Sequence, residues 1–410
     1  LDDFNLRSRG NEETAQGLDF WPAEREILAL FDQHLDANAE NSFPDFLNSE
    51  AVQQQVEQLR RNAQGQNLNP EQLEDLQDNL QQLGNAALLY PLISDDRLEL
   101  ILVTPSSLVN ETIDVDRITL NETIQGFRSD ITDRFSDPLP NAQQLYQWLI
   151  APIADDLAEA GAETIFYAAD GQLRYIPLAA LHDGEQYLTQ QFPINHITAA
   201  SLTDFTRDED ENALQILAGA FSDTDETHSF EIGDRQFSLQ GLEFAGVEVE
   251  TIANEIPNTL AFFNQDFSRL KIEPEMEKHT VIHFATHAEF VPGFPHESFI
   301  LFGNGDRVSL GEISDWSLPE VDLVVLSACR TAVSGGLGSG EEILGFGYQI
   351  QRTGADAAIA SLWYVSDGGT QALMNAFYTA MQNGYSETEA LRRAQISMIT
   401  SDATVLEGER

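Results

Sequence analysis

Between Ala86 and Leu362 the chain rises repeatedly into short, nearly continuous apolar runs: Ala86–Ile93, Leu98–Thr104, Ala162–Ala168, Leu214–Gly219, Thr259–Phe263, Thr280–Ala285, Leu323–Ala328 and Ala357–Leu362. Runs of this length, rich in Val, Ile, Leu, Ala and Phe, suit strands buried on both faces, where neither face tolerates polar residues. Helix-period stretches lie between and after them, at 141–160, 243–254, 341–353, 368–382 and 386–400. Strand and helix in alternation predict an α/β chain with mostly parallel sheets, whose ligands sit at the C-terminal strand edges. The exception is Ser298–Leu310, where Gly303-Asn304-Gly305-Asp306 marks the turn of a β-hairpin.

Upstream the pattern is different. The first 20 residues are polar and read as a tail or linker, and the start at Leu1 reads as a fragment or processed form. An amphipathic stripe begins near Trp21-Pro22, a second helix is expected at 44–63, and a third follows Asn69-Pro70 and stops at Gly84. Gln and Asn are plentiful here, so these helices are expected to face solvent. With Arg207–Asn212 as a charged linker, the chain divides into an N-terminal helical segment (1–85) and two α/β lobes (86–206 and 207–410).

Charge excludes whole classes of function. The 68 Asp and Glu outnumber 21 Lys and Arg, for a net charge of −47. Such a field repels phosphate backbones and anionic lipid, so neither nucleic acid nor membrane is an expected partner. It reflects either solubility in high salt or recognition of a basic substrate, and composition leaves both open. The single cysteine, Cys329, rules out an intramolecular disulfide and any multi-cysteine metal site, and it fits a reducing, cytoplasmic setting. No histidine has ligand spacing with cysteine, so no metal or other cofactor is expected. The glycine-rich stretch Gly335–Gly340 lacks the lysine of a phosphate loop and reads as a mobile loop. No G-x-S-x-G elbow occurs.

Two strands end in reactive side chains. Thr280-Val-Ile-His283-Phe-Ala-Thr-His287 places a histidine where its apolar run stops, and Val324-Val-Leu-Ser-Ala-Cys329 does the same with the thiol. If these strands are neighbours, both side chains reach one sheet edge, as nucleophilic thiol catalysis requires. Spacing alone leaves the other reading standing, since a lone cysteine after an apolar strand is also ordinary core.

The motifs go further. His283-Phe-Ala-Thr-His287 with Leu326-Ser-Ala-Cys-Arg-Thr331 resembles the CHAT family, caspase-like cysteine peptidases of clan CD related to separase. Asp170-Gly-Gln-Leu-Arg-Tyr-Ile-Pro177, Gly340–Phe346 and Gly354–Trp363 are similar to further segments of that family, so the resemblance covers about 86–400. It implies a degenerate first lobe and a second, catalytic lobe. Cys329 would be the nucleophile and His287 its partner, with backbone N–H groups of Cys329 and Ala288 as the oxyanion hole. The family commonly has glycine where this chain has Ala288. His283 would point the same way as His287 by the period-two rule and, one pleat deeper, reads as structural.

Asp367 matches a position where related enzymes keep an S1 carboxylate, which would select Arg or Lys; equally, it could cap the helix that begins at Gly368. Ser361 and Trp363 are companion pocket candidates, Trp363 reading equally as packed core. The resemblance therefore implies a cysteine endopeptidase acting on a protein substrate, with a regulatory protein partner. The alternative is a catalytically silent caspase-fold scaffold that binds signalling partners.

Overall fold

The computed structural model describes residues 70–197, 214–232, 235–290, 298–313, 315–331, 349–350, 353–361 and 366–407. The helices expected at 22–35 and 44–63, the linker Arg207–Asn212, the glycine-rich stretch Gly335–Gly340, most of the helix expected at 341–353, and Trp363 lie outside them. The described residues form two compact units, 70–197 and 214–407.

In the first unit, helix α1 (Pro70–Gln82) precedes β1 (Ala87–Ile93), β2 (Leu98–Val103) and β3 (Leu108–Ile113). Helices α2 (Arg117–Thr132) and α3 (Leu139–Leu149) then lead to β4 (Ile165–Tyr167) and β5 (Ile194–His196). The sheet order is β3-β2-β1-β4-β5. It is mixed rather than mostly parallel: β1, β2 and β3 run antiparallel, and only β4 and β5 continue parallel from β1. Four-residue links cause this. Ser94–Arg97 and Thr104–Ser107 close with Ser94 and Thr104 N–H donating to Arg97 and Ser107 carbonyls at 2.9 Å each, and a parallel crossover needs a dozen residues or more.

Helix α1 also departs from expectation. Leu76 and Leu80 are fully buried against Leu88, Tyr90, Ile101 and Val103, so this helix covers the sheet instead of facing solvent. Its i, i+4 leucines outweigh the Gln and Asn, which occupy the remaining face. The Asp170–Pro177 motif braces the unit: Asp170 Oδ2 accepts from Ile93 N–H at 3.0 Å, Gly171 takes φ +51, and Leu173, Tyr175 and Ile176 are buried.

The second unit is the parallel one. Its elements are β6 (Ile216–Ala220), β7 (Thr227–Ile232), β8 (Arg235–Gln240), α4 (Ala245–Glu255), β9 (Leu260–Phe263), α5 (Arg269–Met276), β10 (Val281–Phe290), β11 (Phe299–Leu301), β12 (Arg307–Ser309), β13 (Leu323–Thr331), β14 (Ala357–Ala360), α6 (Asp367–Gln382) and α7 (Glu387–Thr400). Strands β9, β6, β10, β13 and β14 are parallel neighbours in that order. The expected hairpin is β11–β12, paired antiparallel to the far end of β10. A second hairpin, β7–β8, rises between β6 and α4.

Alternation splits this sheet's side chains into two cores. Ile282, Phe284, Ala288, Val324 and Leu326 meet Ile272 and Met276 of α5. Val281, Ala285, Leu323 and Val325 meet Val249 and Ile252 of α4, Met374, Phe377 and Tyr378 of α6, and Ala390 and Ala394 of α7. A parallel sheet flanked by helices is thus an α/β fold of the caspase-like kind.

Candidate active site

Strands β10 and β13 are direct parallel neighbours, with His287 opposite Ala328 and Ala288 opposite Cys329. The backbone therefore brings the two reactive positions to adjacent rungs, although 42 residues separate them (329 − 287). The Cys329 side chain lies outside the described part of the structure. Ala288 is fully buried and paired on its other side with Ile300, so its N–H belongs to a strand flanked by ladders on both sides. It is not among the positive-φ residues, so alanine needs no glycine-like backbone there.

His287 is 7% exposed. Its Nε2 lies 2.7 Å from the Gln240 carbonyl oxygen, and its ring packs edge-on against Phe221 with centroids 6.3 Å apart. A carbonyl can only accept, so Nε2 carries a hydrogen. The carbonyl is delivered by the end of β8. Gly241 follows it, and a Cβ there would meet the Asp223 carbonyl oxygen at 2.3 Å, so only glycine permits this path. The β7–β8 hairpin is anchored by Phe230 and Phe237, each 5.2 Å ring to ring from Phe299, with the Arg307 guanidinium 4.0 Å over Phe230. His228 Nε2 adds a 2.9 Å bond to the Gly303 carbonyl.

His283 is completely buried, yet it does not share the environment of His287. The pairing register with β13 shifts between Phe284 and His287, while Ala288 stays in the same core as Ile282 and Phe284. His283 contacts the helices instead: Nε2 lies 2.7 Å from Glu248 Oε1 of α4, and Nδ1 3.0 Å from the Tyr378 hydroxyl of α6.

Asp367 is the first residue of α6, but Ser366 is that helix's cap, accepting from Gly369 N–H. The Asp367 carboxylate reaches elsewhere, accepting from Phe244 N–H at 2.7 Å, at the start of α4. Burial pushes its pKa up, the Phe244 bond opposes this, and the negative charges of Glu248 and Glu243 add to the rise. Ser361 follows β14 and is half-buried. Among the described residues no group of three or more His, Cys, Asp or Glu is placed to hold a metal ion, and no helix is long and apolar enough to cross a membrane.

The CHAT domain family matches residues 139–407, which is more than half of the sequence. The chain belongs to the CHAT family. No curated protein matches it. The match spans both described units from α3 onward, and it includes the β10 and β13 segments together with Asp367.

Sequence reasoning missed Gln240 and Glu248. Gln240 acts through its carbonyl, which every residue owns, so no side-chain signal could have marked it. Glu248 did leave one: it occupies a position of the apolar stripe Ala245, Val249 and Ile252, and an acid there demands a buried partner.

Proposed function

We propose that this CHAT-family chain is a cysteine endopeptidase with Cys329 as nucleophile and His287 as general base and acid. The observation that carries the reading is the pairing of β10 with β13, which sets Cys329 opposite Ala288, the neighbour of a His287 whose ring is held by the Gln240 carbonyl. In this mechanism the Cys329 thiol gives its proton to His287 Nδ1, and the thiolate adds to a peptide carbonyl carbon. The C–N bond then breaks as the imidazolium protonates the leaving amine, leaving a thioester on Cys329. Water, deprotonated by His287, adds to the thioester, and the acid product leaves as the thiol is restored. The backbone N–H groups of Cys329 and Ala288 are the proposed oxyanion donors.

The substrate is a protein cut after Arg or Lys. What supports this is the acidic neighbourhood of Asp367, where the carboxyls of Glu243 and Glu248 are close enough to raise its pKa, together with the chain's net charge of −47. Ser361 and Trp363 are the further pocket residues in this reading, and a regulatory protein partner governs access.

The test is digestion of a proteome-derived peptide library by the unmodified chain and by Cys329→Ala, with new termini read by mass spectrometry. Cysteine-dependent cuts after Arg or Lys are expected. Cuts after other residues would keep the mechanism and remove the specificity, and identical uncut libraries would favour the scaffold reading.

A further inference from the structure

We propose that the buried chain Glu248–His283–Tyr378 is a positioning device for His287, holding α4 and α6 against β10 so that the Gln240 carbonyl meets the catalytic ring. The effect on rate rests on the peptidase reading; the effect on the His287 ring does not.

The trio is an exception in its surroundings. Val281, Ala285, Val325, Val249, Ile252, Met374 and Phe377 make this layer apolar, yet His283 and Glu248 sit in it at 0% and 1% exposure. Net stability does not account for that choice, because buried polar pairs are commonly replaced by packed hydrophobic groups at no loss. A hydrogen-bonded imidazole supplies what apolar packing lacks, which is direction. The two bonds, 2.7 Å to Glu248 and 3.0 Å to Tyr378, fix how far and at what angle each helix lies from the strand.

The segment leading into α4 shows what is being fixed. Gln240 accepts from His287. Leu242 N–H donates to the Phe221 carbonyl at 2.9 Å, and Phe221 N–H in turn donates to the Ala285 carbonyl of β10 at 3.1 Å. Phe244 N–H donates to Asp367. Glu248 N–H closes the first helical turn on the Phe244 carbonyl at 2.9 Å, and its side chain returns to β10 at His283. Ties at 240, 242, 244 and 248 thus run from His287 back to His283 on the same strand. Each member has a partner here: the carboxylate can only accept, so His283 Nε2–H donates to Glu248, and the Tyr378 hydroxyl bonds Nδ1.

His283, Glu248 and Tyr378 are accordingly positioning residues. Removing one should let the ring of His287 drift from Gln240, and misplacement of about 1 Å can cost up to about 100-fold in rate. The experiment compares the full chain with Glu248→Ala, Glu248→Gln and Tyr378→Phe, using histidine-selective 15N NMR and steady-state kinetics. The unmodified chain should show His287 in a single ordered ring state with a hydrogen on Nε2. Glu248→Ala should mix the two tautomers and lower kcat with little change in KM. Glu248→Gln, whose Oε1 still accepts from Nε2–H, should recover most of both. If Glu248→Ala does not fold, Tyr378→Phe deletes one hydroxyl only and carries the same readouts in weaker form.

A folded Glu248→Ala with an unmixed His287 tautomer overturns the proposal, whatever its melting temperature. If the unmodified chain cuts no peptide, the peptidase reading fails, and the tautomer comparison still decides the positioning.

Discussion

The imidazole Nε2 of His287 lies 2.7 Å from the carbonyl oxygen of Gln240, a residue 47 positions earlier in the chain. That bond places a hydrogen on Nε2, and it depends on Gly241. Gly241→Ala places a Cβ against the Asp223 backbone and must displace the carbonyl. The expected result is a kcat loss of about 10- to 100-fold with the fold retained, checked by steady-state kinetics beside circular dichroism. Unchanged kcat in a folded variant would show that the carbonyl does not orient the ring.

Because Cys329 is the only thiol, its alkylation rate can be followed without interference. A thiolate paired with an imidazole reacts well below the ordinary thiol pKa of about 8.5. Iodoacetamide modification of the unmodified chain should therefore be fast at pH 6–7, to order of magnitude. His287→Ala should move the profile up towards an ordinary thiol. Superimposable profiles would leave the two residues chemically unrelated.

Asp367 has a raised pKa, so the folded chain binds this proton more tightly than the unfolded chain does. Its contribution to stability is complete below the unfolded pKa, about 4, and is lost as pH rises through the folded value. Asp367→Asn escapes that loss, and its amide oxygen can still accept from Phe244 N–H. The variant should melt higher than its parent at pH 7, with the difference shrinking as the pH falls towards about 4. A lower melting temperature at pH 7 would mean that the charge itself supports the α4–α6 contact. The same variant should lose the preference for Arg and Lys in the peptide digestion.

Packing predictions separate the two units. Gly219 lies in the middle of β6, where a Cβ would sit 2.2 Å from the Phe267 ring. Gly219→Ala should destabilise the second unit by about 1–3 kcal/mol through overpacking. Leu80→Ala should cost about 2–5 kcal/mol in the first unit by opening a cavity beneath α1. Both are read from urea denaturation. A Leu80→Ala effect below about 0.5 kcal/mol would place α1 among solvent-facing helices after all.

Much of the second unit was legible because its signals are local. The apolar runs at 280–285 and 323–328 are long enough to specify buried parallel strands, and Gly303–Asp306 marks its own hairpin turn. The first unit was harder to read. Strand β3, with residues alternating between exposed and half-buried, carries no continuous apolar run. The antiparallel order was encoded only in two four-residue links. The β7–β8 hairpin was missed for the same reason, its aromatic residues being committed to Phe299, a partner far away in sequence.

Apolar runs along the chain were enough to mark the buried strands and to place His287 and Cys329 at their ends, and the motifs there carried the family resemblance. Their surroundings came from the packing of distant segments. It gave His283 the partners Glu248 and Tyr378, and His287 the carbonyl of Gln240. It also gave Asp367 the N–H of Phe244, leaving Ser366 to cap α6. Periodicity follows from bond geometry within one segment, whereas a buried hydrogen bond depends on the donor that another segment brings within about 3 Å.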